Sequence, residues 1–233
     1  MSDESYKQFC PVAMASEIVC TRWTMVLLRE LVAGSTRFND LRRGVPRMSP
    51  ALLSKRLKEL GEAGIISRVE IPDEPGMFEY RLTPAGLDLK AVVEVVGNWG
   101  QRWIESSLSL KNLDPSLLMW DMRRNINPTP LPKRRCVIQF LYPELPGPRR
   151  DWLLVVEPTR EVDLCSVDPG FNVDLYVTSD LKTMTSIWMG WTPIAEAVSN
   201  GKVMLTGDRQ VAENMKLWLK LSPFAMEKTK LAA

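Results

Sequence analysis

The stretch from Met48 to Gly64 constrains the fold more than any other part of the chain. Ser49 can cap a helix by accepting a backbone N–H, and Pro50 suits the first helical position, where its missing N–H is no loss. Leu52, Leu53, Leu57 and Leu60 recur at helical spacing before Gly64 ends the run. A helix here buries Leu53, Leu57 and Leu60 and turns Ala51, Ser54, Lys55 and Lys58 outward. Ile65 to Ile71 then reads as a strand, Pro72 to Gly76 as a turn and Phe78 to Leu82 as the returning strand.

Upstream, Ala15 to Val32 carries Ile18, Val19, Met25, Val26, Leu28 and Leu31 at helical spacing, and Gly34 follows as a stop. A short helix beginning near Thr36 holds Phe38, Leu41 and Val45. Three helices followed by a hairpin is the order of a winged helix-turn-helix, whose last helix reads base edges in the major groove. Ser54 and Lys55 can donate to guanine O6 and N7, with Ala51 beside them and Ser49 at the helix start. Arg47, Arg56 and Lys58 suit phosphates, as do Arg42 and Arg43. Arg37 and Asn39 stand at the start of the preceding helix, where backbone donors favour an anion. The hairpin tip is acidic and apolar (Asp73, Glu74, Met77, Phe78), so only Arg68 and Arg81 near its base are expected on phosphate.

The charge layout agrees. The whole chain carries a formal charge of only +2, from 30 basic and 28 acidic residues. Between Arg37 and Lys58, however, seven basic residues stand against Asp40 alone, while nine acidic residues face four basic ones from Glu59 to Glu105. A basic segment inside a near-neutral domain suits a polyanion. A solvated charged face is the alternative.

Thr83-Pro84 starts a further helix with Leu89, Val92, Val93, Val96, Trp99, Gly100 and Trp103 on one face. That stripe is longer than a three-helix core can cover, which points to a dimer seam with Gly100 permitting close approach. Ser106 to Asp114 reads as a junction, placing one domain at 1–108 and a second at 109–233. In the second, Asp114-Pro115 opens a helix through Leu117, Leu118, Trp120, Met122 and as far as Ile126. Strands are expected over Cys136 to Tyr142, Trp152 to Val156, Val162 to Val167, Val173 to Thr178 and Lys202 to Thr206. Helices are expected at Leu181 to Met189, Pro193 to Asn200 and Arg209 to Leu221. The fold class is α+β.

The chain contains no histidine, which excludes Ser-His-Asp and Cys-His nucleophile pairs, a histidine general base and histidine-ligated metals. Cys10, Cys20, Cys136 and Cys165 are scattered without a CxxC pair, so neither a zinc site nor a disulfide framework is indicated. The acidic residues of the second half stand beside turns or cap helices, and no pair has the split environments of an acid and a base. No enzyme, cofactor or metal is expected. The N-terminus lacks the basic region and apolar core of a signal peptide, and no apolar run approaches the ~20 residues of a membrane span. A cytoplasmic protein without a membrane partner is the expectation.

From Phe9 to Trp103 the sequence resembles the HxlR family of bacterial winged-helix regulators. The resemblance rests on Cys10-Pro11-Val12, Arg22-Trp23-Thr24, Leu27 to Leu31, Gly34, Arg37-Phe38-Asn39-Asp40-Leu41, Met48-Ser49, Leu53, Arg56-Leu57, Leu60, Gly64-Ile65-Ile66 and Tyr80 to Gly86. It implies a homodimer built from the first and last helices of this domain, bound to a two-fold symmetric double-stranded operator. Cys20-Thr21 replaces the pair of glycines common in the family. Cys10 sits where several members carry a thiol that senses oxidants or electrophiles; a small residue packed at the seam is the other reading.

From Arg135 to Ala225 the chain resembles the sterol-carrier-protein type 2 domain, through Asp180-Leu181, Trp188-Met189-Gly190, Ile194-Ala195, Ala197-Val198, Gly201-Lys202-Val203 and Gly207-Asp208. That resemblance implies a strand layer and helices enclosing a tunnel for a small hydrophobic effector, with Met184, Trp188, Trp191, Ile194 and Val198 as walls. Met and Trp fill ordinary cores equally well. The leading reading is a dimeric transcription regulator with an effector-binding second domain. The alternatives are a thiol-switched regulator whose second domain is structural, and a lipid or acyl carrier fused to a winged helix.

Overall fold

The computed structural model describes residues 5–72, 74–105, 110–158, 162–167, 169–227 and 230. The chain divides into two compact units, Met1–Gly97 and Asn98–Ala233. The division falls inside a helix, and the boundary expected at 108/109 lies outside the described residues, as do Asp73, Glu161 and Asp168.

The first unit runs α1 (Pro11–Val19), α2 (Thr24–Val32), α3 (Phe38–Gly44), α4 (Pro50–Glu62), β1 (Ile66–Glu70), β2 (Phe78–Leu82) and α5 (Pro84–Trp103), which continues past the division. The single helix expected from Ala15 to Val32 is two helices. The chain breaks at Trp23, which adopts a left-handed φ of 76° and packs its ring on the core. Ser49 accepts from the Leu52 N–H at 3.3 Å and Pro50 follows, so α4 begins where its cap dictates. Leu53, Leu57 and Leu60 join Leu27, Leu28, Leu41 and Val93 in one core.

Polar ties fix the turns between these helices. Glu30 is fully buried and accepts from Ser35 Oγ at 2.6 Å and from Arg29 at 3.1 Å, while Arg29 also donates to the Gly44 carbonyl at 2.9 Å. The hairpin pairs antiparallel from Ile66↔Leu82 to Glu70↔Phe78 and is docked by the Tyr80 N–H on the Thr36 carbonyl at 2.8 Å. At its base Thr83 Oγ1 donates to the Gly64 carbonyl at 2.6 Å. A Cβ on Gly86 would stand 2.2 Å from the Ile65 carbonyl, so the Thr-Pro-Ala-Gly run is a close backbone junction rather than a ligand motif.

The second unit adds α6 (Pro115–Arg124), β3 (Cys136–Leu141), α7 (Gly147–Arg150), β4 (Asp151–Val156), β5 (Asp163–Cys165), β6 (Leu175–Ser179), α8 (Leu181–Trp188), α9 (Ile194–Ser199), β7 (Val203–Gly207), α10 (Arg209–Glu213) and α11 (Met215–Trp218). Its five strands form a mixed sheet in the order β5-β4-β3-β6-β7, with β3 and β6 parallel. One sheet face, including Ile138, Phe140, Leu154 and Val177, packs with Met119, Met184, Ile187, Trp188, Met215 and Trp218 from the helices. On the other face Val137, Leu153 and Val155 are buried, while Tyr176 and Met204 are exposed. Asp114 caps α6 as expected, accepting from Ser116 and Leu117. The closing helix expected over Arg209 to Leu221 is two short pieces, because Trp218 Nε1 turns back to donate to the Val211 carbonyl at 2.7 Å. At Gly207 a Cβ would lie 2.2 Å from the Asp174 carbonyl, so the Gly-Asp pair of the sterol-carrier resemblance has a backbone-packing cause here.

Candidate nucleic-acid interface

The buried leucine row of α4 leaves Ala51, Ser54, Lys55 and Lys58 exposed, as the spacing predicts. Lys55 lies 3.9 Å from Glu59 and Lys58 3.6 Å from Glu62, loose pairs on an open face. The two flanks of α4 differ. On one, Ser54, Leu57, Lys58 and Gly61 line a cleft of about 330 Å³ with Ile66, Arg68 and Tyr80 of the hairpin, a wall with two cations and no carboxylate. On the other, Lys55, Arg56, Glu59, Leu60, Glu62 and Ala63 face Glu17, Ile18, Thr21 and Thr24 across a cleft of about 540 Å³, where three carboxylates oppose two cations. Backbone phosphate suits the hairpin side.

Asn39, Arg42 and Arg47 are exposed, and among the described residues neither Arg42 nor Arg47 has an ion pair. Arg43 lies 3.8 Å from Asp40. Arg68 stacks over the Phe78 ring at 3.6 Å, and Arg81 pairs with Glu79 on the same strand face. Two sequence assignments need correction. Arg56 is turned inward, its Nε donating to the Arg22 carbonyl at 3.2 Å and its Nη1 pairing with Glu59, so it accepts the load of the break before α2 rather than a phosphate. Arg37 is engaged bidentately by Glu74 of the hairpin turn, at 2.9 and 2.5 Å. Ser49 is exposed, and its hydroxyl accepts in capping α4, which leaves the O–H able to donate.

On α5 the stripe divides. Val93 is 6% exposed and Leu89 half-buried, and both pack on the unit's own core, which corrects their assignment to the seam. Val92, Val96, Trp99 and Trp103 are exposed at alternating intervals of four and three residues, the spacing of an a/d row. Phe9, Val12, Met14 and Ile18 of the α1 region are exposed too, Phe9 at 98%. The sequence reading missed the first three because it started the helix at Ala15, whereas Pro11 at the first helical position marks the true start. Cys10 is the residue before α1, half-buried, and the first-turn N–H groups of Ala13 and Val12 hold its thiol below the usual range.

Of the five expected pocket walls, Met184 and Trp188 are buried core residues, and Trp191 and Ile194 are half-buried. Val198 is exposed, which corrects its placement on an enclosed wall: its neighbour Ala197 takes the inward position on the short α9.

A capped helix with an outward row of serine and lysine side chains, lining one cleft with the two-stranded hairpin that follows it, defines a winged helix-turn-helix DNA-binding module. The HxlR-like helix-turn-helix family matches residues 18–108. The chain is 35% identical over 101 residues to the HTH-type transcriptional regulator YvaP of Bacillus subtilis, covering 43% of this chain and 94% of that one. It is 43% identical over 95 residues to the HTH-type transcriptional regulator Rv3095 of Mycobacterium tuberculosis, covering 40% of this chain and 58% of that protein. Among solved structures, the redox regulator HypR in its reduced form aligns at 30% identity and a TM-score of 0.37, over 40% of this chain and 91% of that one. The chain belongs to the HxlR-like helix-turn-helix family of transcriptional regulators.

Proposed function

We propose that the protein is a sequence-specific DNA-binding regulator that acts as a homodimer. The observation that carries this reading is the outward row Ala51, Ser54, Lys55 and Lys58 on a capped helix, flanked by exposed Arg42 and Arg47 and by Arg68 across a carboxylate-free cleft. Ser54 and Lys55 read base edges; Arg42, Arg43, Arg47, Lys58 and Arg68 hold phosphates, with Asn39 beside them. The a/d row of α5 and the apolar α1 residues support pairing of two copies, which sets the spacing of the two reading helices. A gel-shift assay with a duplex from upstream of its own gene is the test. A specific, salt-sensitive complex is expected, and absence of any complex overturns the reading. In sedimentation, Val96→Asp should convert a dimer to a monomer.

The second unit, in this reading, binds a small apolar effector between its strand layer and helices, as the sterol-carrier resemblance implies. Ile194 packs on the core that holds buried Met184 and Trp188, and Trp191 is half-buried; these support it. Tryptophan fluorescence titration with acyl and aromatic compounds tests it, and a flat response throughout supports a plain core. A second reading, a thiol switch at Cys10, is favoured by the place of that residue at the N-cap of α1, where the first-turn N–H groups of Ala13 and Val12 lower its pKa. Cys10→Ser should then abolish any change of operator affinity on peroxide or quinone treatment.

A further inference from the structure

Arg37 stands at the cap of α3 with its guanidinium plane presented for two parallel hydrogen bonds, the geometry that carboxylate and phosphate share. Glu74 fills that place. Its Oε2 accepts from Nη1 at 2.9 Å and its Oε1 from Nη2 at 2.5 Å. The pairs Lys55–Glu59, Lys58–Glu62 and Arg81–Glu79 join close neighbours within one element, whereas Arg37–Glu74 joins the start of α3 to the hairpin turn. The hairpin is held at the same place by backbone: Arg37 bridges to Glu79, and the Tyr80 N–H donates to the Thr36 carbonyl. Glu74 is therefore presented to Arg37 by a docked hairpin, at the start of the helix that also carries Arg42 and Arg43. The pairing raises the Arg37 pKa and lowers that of Glu74.

We propose that Glu74 occupies the position of a DNA phosphate on Arg37, so that the hairpin turn is a built-in competitor which withholds one phosphate contact from the parent complex. This rests on the DNA-binding reading above. One phosphate contact contributes only a modest share of binding, so the competitor lowers affinity without abolishing it. Its effect is on phosphate contact and is independent of base sequence.

The test measures binding of the full chain to the upstream duplex and to a random-sequence duplex of equal length, across a salt series. Glu74→Gln should bind both about three- to fivefold more tightly, and the slope of log K against log salt should steepen by about 0.9, one added phosphate contact. The double variant Glu74→Gln with Arg37→Gln should return to within about twofold of the parent, with the parent slope. Glu94→Gln on α5 removes the same charge elsewhere and should leave the slope unchanged. Unchanged affinity and slope in Glu74→Gln, or a double variant as tight as Glu74→Gln, overturns the competitor. A parent that binds neither duplex instead overturns the DNA-binding reading itself.

Discussion

The two units spend their informative residues in opposite directions. In the first, the row Ser54, Lys55 and Lys58 points away from the protein, and the core beneath it serves to aim it. In the second, the methionines and tryptophans of the sheet-and-helix core point inward: Met119, Met184, Trp120 and Trp218 are all at most 1% exposed. An outward side chain that no packing requirement explains speaks of a partner, while an inward one speaks first of its own neighbours. Function was therefore readable from the first unit and hardly from the second.

The largest expected effect breaks the comparison if the second unit is not a tightly packed core. Trp218 is fully buried and its Nε1 holds the turn between α10 and α11, so Trp218→Ala should destabilise the protein by about 3 to 5 kcal/mol in urea denaturation. A loss below about 1 kcal/mol would mean that the site collapses readily or is already loose. Next comes Lys55→Ala, which should leave folding intact and reduce discrimination at one base position by about 1 to 3 kcal/mol in binding to single-base operator variants. Arg42→Ala should instead weaken all sequences alike and reduce the salt slope by about 0.9. Should Lys55→Ala behave like Arg42→Ala, the outward row holds phosphates only.

Arg56 sharpens the same contrast from inside the first unit. It lies among the basic residues of α4, yet its donors go to the Arg22 carbonyl and to Glu59. Arg56→Ala should lower stability by about 1 kcal/mol and leave the salt slope of DNA binding unchanged, since the lost hydrogen bond is internal. A reduced slope would return Arg56 to the phosphate set.

How far the sequence carried follows from the kinds of signal involved. The cap at Ser49, the leucine row, the hairpin and Asp114-Pro115 are local, and each element appears where its own residues place it. What failed depended on distant partners. Nothing near residue 23 shows that Trp23 will turn the chain to reach the core, or that Arg56 will take up the carbonyl that the turn releases. Likewise, Val93 and Val96 look alike in the sequence, and the docking of α5 on its own unit decides which is covered. Glu74 was legible only as an acidic hairpin tip; its partner lies 37 residues earlier.

The smallest effect concerns charge used for structure in the second unit. Asp174 accepts from the Val137 N–H at 2.8 Å and pairs with Arg134 at 2.7 Å. Burial by itself raises the carboxyl pKa, but Arg134 and the Val137 N–H outweigh it and the net direction is down. A carboxylate lowered on folding stabilises the fold above its unfolded pKa of about 4 and ceases to do so as pH falls through the folded value. Arg134→Gln removes the main lowering influence while burial remains, so the loss of stability on acidification should begin at higher pH. The guanidinium is largely exposed, so the difference at neutral pH should stay under about 1 kcal/mol. Urea midpoints between pH 3 and 7 check this: identical acid profiles for parent and Arg134→Gln would show that the Val137 N–H and the Cys136 thiol hold Asp174 ionised without Arg134.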